Sequence, residues 1–428
     1  MLTKAWTKFK YHKVQQEAWR CKKRFVSIPA GRGSGKTELA KRRLVRYLPI
    51  VKDDHDCRYF YGAPTERQAK RIAWDHFLKL IPADWIKSIS ISELMIITKF
   101  GTSLYVVGMD KPQRIEGGQW DGCVLDESCD LKPGIFDRNI MPALTWYNAW
   151  CWRIGVPKRQ GVGAAEFRDF FERSCDGLID DAAGFTWPSK DIVPDVALKQ
   201  ARDTLDIKDY REQFEARFET AGGGIFHGFD KEYNVRPCSY NKNAPLIIGC
   251  DFNVDPMAWV VCQVNNKVIE VLDEIWLRDT NTPESLDVLH ARYTSHVGGF
   301  QFYGDAAARQ RKTSASMSDY KHIYNDSRFK ELGRTVHFPQ ANPRLADRFA
   351  STNAMLCNST GNRRIFVNPS CTRLITDLQN RYYKPGTNDP DDSGDLGHIT
   401  DAFGYVIHYL FPIKMKLEYT SVPQVFIS

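Results

Sequence analysis

Residues 30–37 read Ala-Gly-Arg-Gly-Ser-Gly-Lys-Thr. A phosphate-binding loop asks for Gly, four residues, then Gly-Lys-Ser/Thr, so Ala30 is a small-residue variant and Gly35-Lys36-Thr37 match. Successive backbone N–H groups of Gly31, Arg32, Gly33, Ser34 and Gly35 would cradle phosphate oxygens at a helix N-terminus. Lys36 would reach the β/γ-phosphates, and Thr37 would ligate Mg²⁺. An acidic partner is available where the apolar run Cys123-Val124-Leu125 ends in Asp126-Glu127. Asp126 would hold Mg²⁺, and Glu127 would polarise the attacking water. Arg32, inside the loop, would reach the γ-phosphate in cis. Arg114 would serve a neighbouring subunit as an arginine finger, or is an ordinary surface arginine. Gln15 would read the adenine edge, although Gln16 is equally eligible by spacing.

A second set of acids lies far downstream. Asp251 follows the apolar run Leu246–Cys250, Asp305 follows Phe302-Tyr303-Gly304, and Asp401 sits in His398-Ile399-Thr400-Asp401-Ala402. An acid after one strand, another after a later strand and a third on a late helix resemble an RNase H-like arrangement. Such carboxylates would hold one or two Mg²⁺ or Mn²⁺ ions, for which hard oxygen ligands are suited. Two ions would activate a water and stabilise the leaving oxygen of a phosphodiester. Asp255 is a possible auxiliary ligand and Glu274 an alternative one. His398 reads as a neighbour of this site.

These residues need elements to position them. From Phe25 to Pro157 short β-rich runs alternate with helical patterns: strands at Phe25–Pro29, Cys57–Gly62, Glu93–Lys99, Ser103–Gly108, Gly122–Leu125 and Cys151–Val156. Helices are expected over Thr37–Leu48 and Thr65–Leu80. Such alternation implies an α/β fold with a mostly parallel sheet. Residues 158–220 read as mainly helical, with the helix Asp209–Phe218 ended by Gly222-Gly223-Gly224. A second α/β unit begins at about 244, with strands Leu246–Phe252, Trp259–Asn265, Lys267–Trp276 and Phe300–Gly304. Helices follow at Glu284–His296 and His398–Leu410. The domains expected are 1–225 and 244–428, joined by a linker at 226–243. Lys384–Leu396 reads as a mobile loop.

The chain has 428 residues, 43% hydrophobic and 26% charged, which excludes a disordered tail, collagen or a fibrous repeat. No apolar run approaches a membrane span, and Met1–Lys4 opens no secretory signal. The 11 cysteines contain no CxxC pair, which fits reduced thiols rather than a disulfide framework. Net charge is +7, yet residues 1–50 hold 14 Lys and Arg against Glu17 and Glu38, a net +12 that leaves −5 for the rest. A basic N-terminal segment points to a polyanion nearby.

A phosphate-loop unit followed by an RNase H-like unit resembles the large terminase subunit of tailed bacteriophages over nearly the whole chain. Gly31–Thr37 and Val124–Glu127 are similar to its Walker A and Walker B motifs. Tyr210–Phe214 through Phe226 resemble the end of its ATPase domain. Cys250-Asp251, Gly304-Asp305 and His398–Tyr405 resemble its three nuclease motifs. The resemblance implies ATP-driven translocation of double-stranded viral DNA into a procapsid and metal-dependent cutting of concatemeric DNA. It implies partners too: double-stranded DNA, a small terminase subunit, a portal protein, and copies of the chain forming a ring on that portal. It implies work in the host cytoplasm rather than in the mature virion. One departure is the segment Arg153-Ile154-Gly155-Val156-Pro157, which lacks the Ser/Thr usual in the family's coupling motif; Thr145 and the backbone are the alternatives. A DNA helicase-nuclease of repair type is the competing reading, but it usually needs a second RecA-like domain, and too few residues separate Asp126 from Asp251 for one.

Overall fold

The computed structural model describes residues 6, 11–159, 161–219, 223–309, 317–384, 387 and 389–413. Met1–Lys4, Gly222 and Gly386, which carried sequence expectations, lie outside these residues. The chain forms two compact units: 1–198 with 210–221, and 199–209 with 222–428.

The first unit is built on eight strands: β1 Phe25–Pro29, β2 Arg58–Ala63, β3 Ile86–Ser90, β4 Met95–Thr98, β5 Ser103–Gly108, β6 Gly122–Leu125, β7 Trp150–Gly155 and β8 Ala182–Gly184. Their order in the sheet is β3-β4-β5-β2-β6-β7-β1-β8. The five pairings from β5 through β8 are parallel, and the β3-β4 and β4-β5 pairings are antiparallel. Side chains alternate across a strand, so β1 sends Val26 and Ile28 to one face and Phe25 to the other. The first face is covered by the helix Lys36–Tyr47 through Leu39, Ala40 and Leu44. Phe136, Ile140 and Leu144 cover the opposite face. All five residues of β1 are buried, as expected for a strand covered on both sides.

The helix expected over 65–80 is present but interrupted by a π segment at Lys70–Trp74. The helix expected at Asp209–Phe218 runs Ile207–Glu215 and stops at Ala216, whose φ of 58° is left-handed. The glycines do not end it.

The second unit has β9 Leu246–Asp251, β10 Met257–Asn265, β11 Val268–Leu277, β12 Phe300–Gly304, β13 Arg334–His337 and β14 Ile365–Val367. The order is β13-β12-β9-β10-β11-β14, with β9-β10-β11 an antiparallel meander and β12 parallel to β9. Ile247 faces one core with Phe403 and Val406 of the helix His398–Leu410, and Ile248 faces the other with Leu286 and Phe329.

The segment 226–243 is not a free linker. Phe226 is buried in the core of the second unit. Asn234, fully buried, donates to Leu356 O and Ile365 O at 3.2 and 2.9 Å. Lys231–Asn234 is a helical turn. Its lack of sequence periodicity reflects an irregular but anchored path, held by backbone and amide bonds rather than by an amphipathic face.

Candidate functional site

The loop after β1 turns into the helix Lys36–Tyr47 at Gly35, which caps it with φ 79°. A side chain there would be strained, because left-handed backbone favours glycine. A Cβ on Gly31 would collide with Ser189 Oγ, so the loop can approach its support only without one. That support is dense. Gly31 N donates to Trp187 O at 3.0 Å and Arg32 N to Gln213 O at 2.5 Å. Ser189 Oγ donates to Arg32 O at 2.7 Å. Ser34 O accepts from both Gln15 Nε2 and Trp187 Nε1 at 3.0 Å. Gly33, with φ 70°, lies between these anchors.

Gln15 is fully buried, and its Oε1 accepts from His12 N at 3.3 Å while its Nε2 holds Ser34. Both ends of the amide are engaged, so the structure makes Gln15 a prop for the loop, against its expected role as a reader of adenine. Gln16 is exposed and bonds Tyr11 O.

The acidic strand end meets the loop. Thr37 Oγ1 donates to Asp126 Oδ2 at 3.0 Å, and Tyr61 OH donates to the same oxygen. Asp126 Oδ1 accepts from Glu127 N at 2.8 Å. Burial and the neighbouring Glu127 charge push the Asp126 carboxyl up, against Lys36. Burial also lowers Lys36, against the pull of Glu127 and Asp126. Glu127 ends lowered: burial works upward, but Lys158, Lys36 and Arg32 outweigh it. Glu127 has φ 51° and ψ 46°, a left-handed backbone that a residue with a Cβ adopts at a cost.

Lys158 gave no sequence signal. It stands directly after Pro157, and its Nζ bonds Glu127 Oε2 at 3.1 Å and also Asp130. Thr145, the possible coupling residue, bonds Met141 O in its own helix. Arg114 is about half exposed and ion-paired with Glu66.

For a Mg²⁺ ion, Thr37 and Asp126 already converge on one point. Ser34 Oγ, in the same loop as Thr37, is buried and has no partner among the described residues. The donors fit a hard cation with phosphate oxygens.

In the second unit, Asp251 and Asp305 end two adjacent parallel strands, since Gly304 pairs with Cys250. Burial raises Asp305, the Ala308 N–H opposes it, and the Asp251 charge adds to the rise. Asp251 Oδ2 accepts from Asn253 Nδ2 at 2.9 Å and contacts His398 Nδ1 at 3.0 Å. That bond raises the His398 pKa.

Asp401 departs from expectation. Its Oδ1 faces Arg381 Nη1 at 2.9 Å and Arg348 Nη1 at 3.4 Å, both arginines buried. The only ligand-type group of three within 4.8 Å among the described residues is His55, Cys57 and Asp121, so the carboxylates of Asp251, Asp305 and Asp401 stand wider apart than that. The helix does bring Asp401 near: its charge acts on His398 and on Tyr405, together with Asp251. Two buried guanidiniums compete for the carboxylate, a feature absent from any motif spacing. The donors Asp251 and Asp305 suit a hard cation; Asp401 has its Oδ1 held by the two arginines.

Glu274 and Asp255 also have other work. Glu274 accepts from Arg373 N and Leu374 N at 2.9 Å, capping the helix Thr372–Asn380. Asp255 pairs with Arg278 at 3.0 Å. The His55-Cys57-Asp121 group is a tie for the loop before β2. Asp121 already takes Lys52 at 2.7 Å and Arg58 N at 2.8 Å.

No protein-family model matches the chain, and no curated protein does. Among solved structures, the large terminase of a thermophilic bacteriophage superposes with a TM-score of 0.59 at 14% identity, over 94% of this chain and 99% of that one. The same terminase in complex with ADP gives 0.56 at 15% identity over 93% and 99%, and in complex with ATP-γ-S it gives 0.54 at 14% over 95% and 99%. The fold is therefore that of the large terminases: an α/β unit with a mostly parallel sheet, followed by a second α/β unit around its own sheet. No helix among the described residues is long and apolar enough to cross a membrane.

Proposed function

We propose that the chain is a large terminase subunit, an ATP-driven motor that moves double-stranded viral DNA into a procapsid and a metal-dependent nuclease that cuts concatemeric DNA. The observation that carries this reading is the contact of Thr37 with Asp126 beside a left-handed Glu127, in one chain with Asp251 and Asp305 at neighbouring strand ends. The complexes of the thermophilic phage terminase with ADP and ATP-γ-S support nucleotide as the ligand of the first site.

In the first unit, the N–H groups of Gly33 and Gly35 and the Lys36 ammonium bind the phosphates, whereas the expected donors Gly31, Arg32 and Ser34 spend their N–H groups on Trp187 O, Gln213 O and Gly31 O. Thr37 and Asp126 would hold Mg²⁺, which neutralises phosphate charge. Glu127 orients the attacking water and takes its proton. Lys158 holds the Glu127 carboxylate in place, and Arg32 meets the γ-phosphate from within the loop. Arg114, exposed, is available to a neighbouring subunit in a ring.

In the second unit, Asp251 and Asp305 would hold Mg²⁺ or Mn²⁺, which supplies an activated water and charge neutralisation at the scissile phosphate. His398 and Asn253 orient Asp251 through its Oδ2. Asp401 holds Arg381 and Arg348 through Oδ1, and its Oδ2 would be the ligand atom it offers beside Asp251 and Asp305. The small subunit, the portal and the transient docking in the host cytoplasm belong to the same reading.

A repair helicase-nuclease would need a second motor sheet. Among the described residues between the two sheets only helices and β8 occur, and β8 joins the first sheet.

The test separates the two sites. Lys36→Ala should abolish ATP hydrolysis and leave metal-dependent cleavage of duplex DNA, and Asp251→Asn should do the reverse. Loss of both activities in either variant, or of neither in both, sinks the assignment.

A further inference from the structure

An open cleft of about 840 Å³ lies at the end of the first sheet where β1 and β7 begin. The phosphate loop is at the other end of β1. The cleft is lined by Arg20, Lys22, Lys23, Arg24, Arg43 and Arg46, with Asp181 the only acid among its lining residues. None of the six cations forms an ion pair among the described residues, whereas Arg153, Arg159, Arg328 and Arg381 elsewhere all do. Asp181 is occupied by the Arg24 backbone N–H at 3.1 Å.

The cleft is built, not a chance gathering. Arg24 is tied to Ala149 O at 2.8 Å and to Leu144 O at 3.0 Å. Arg43, 5% exposed, lies over Tyr47, Trp150 and Trp152 and donates to Trp19 O at 3.1 Å. Two polar atoms of its lining residues, Arg43 Nε and Trp150 Nε1, are buried with no partner among the described residues. Above this floor Arg20, Lys22, Lys23 and Arg46 are exposed. Arg46 rests over Trp19 at 5.1 Å, which keeps its guanidinium at the rim.

We infer that this cleft binds the phosphodiester backbone of duplex DNA, at a surface separate from the phosphate loop. The choice of DNA rests on the packaging reading; the charge argument does not. Both contributing helices, Lys13–Arg20 and Lys36–Tyr47, end here with their C-termini, whose carbonyls disfavour an anion. A single tightly held phosphate would want a helix N-terminus. Long basic side chains spread over three segments instead suit a continuous backbone, gripped without base readout.

The helix Lys36–Tyr47 gives the cleft a consequence. Its first residue is the phosphate-loop lysine, and its last turn supplies Arg46 and Tyr47. Twelve residues span about 18 Å, so one rigid element carries nucleotide contact at one end and DNA contact at the other.

The experiment is duplex binding by the full chain, read by fluorescence anisotropy over a range of salt, on two unrelated sequences. Arg20→Ser/Lys22→Ser/Arg46→Ser should lower the salt slope by about 3, equally for both sequences. ATP hydrolysis without DNA should be unchanged. An unchanged slope overturns the proposal. So does loss of inorganic tripolyphosphate binding with DNA binding intact, which marks a small-anion site, or loss of polyglutamate binding alone, which marks an acidic protein partner. If the triple variant does not fold, Lys22→Ser, at an exposed position, should lower the slope by about 1. A wild-type chain without ATPase activity would sink the packaging reading, yet leave the anisotropy result readable.

Discussion

Single residues show what spacing reveals and what it hides. Gly35, Lys36, Thr37, Asp126 and Glu127 stand out as candidates because their pattern is local: a loop, a helix start and a strand end. Lys158, Arg381 and Arg348 were not legible, because each acts on an acid remote in sequence and a lone lysine or arginine carries no pattern. Asp377 was missed for the same reason. Its Oδ2 accepts from Gly397 N at 2.8 Å, directly before the helix bearing Asp401. Burial raises the Asp377 carboxyl to about 6, against the Gly397 bond and the charges of Arg381 and His398. A folded-state pKa above the unfolded one contributes stability below the unfolded value, lost as pH rises through the folded one. Asp377→Asn should therefore gain stability over wild type as pH rises from about 4 to 7, by roughly 2–3 kcal/mol. Urea midpoints at the two ends of that window measure it. A constant difference between the proteins would show that Asp377 does not titrate there.

Elements with strong period or context were legible in advance. Phe25–Pro29, Ser103–Gly108, Gly122–Leu125, Phe300–Gly304 and His398–Leu410 lie where their patterns place them. The unread strands are short edge pieces: β3 has five residues, β8 is Ala-Ala-Gly, β14 has three residues and β13 four. They form because a neighbouring strand offers open hydrogen bonds, which no local propensity reports. Close packing between elements is equally silent in sequence. A Cβ on Gly249 of β9 would collide with Ala402 O and meet Val406 at 2.8 Å. Gly249→Ala should push the helix His398–Leu410 away from β9, at a cost of roughly 1–3 kcal/mol. Calorimetry should show the loss in the transition of the second unit, and ATP hydrolysis should persist. Equal stability would mean that the helix moves freely.

At the scale of the whole molecule, the division into units does not follow the chain in one step. Residues 199–209 belong to the second unit. Asp206, fully buried, meets His227 Nε2 at 2.9 Å. Ser359 N donates to Leu205 O at 2.8 Å, and Asn358 Nδ2 to Asp203 O at 2.9 Å. A boundary read from composition at 225 overlooks this excursion, since nothing in residues 199–209 distinguishes them from the helices around them. A fragment starting at Lys199 should be more stable than one starting at Gly223, by roughly 2–4 kcal/mol from the hydrogen bonds restored. Denaturant midpoints of the two fragments compare them directly. Indistinguishable midpoints would assign 199–209 to neither core.

The left-handed Glu127 has an outcome for engineering. Elsewhere in a folded chain glycine is the costlier guest and alanine the milder one. At this carbon the ranking should invert. Glu127→Gly and Glu127→Ala lose the same carboxylate and the same tie to Lys158, but only the glycine is at home in the twisted backbone. Thermal melts should find the glycine protein the sturdier of two equally idle enzymes by roughly 1 kcal/mol, a measure of what this position gives up in order to hold an acid at all.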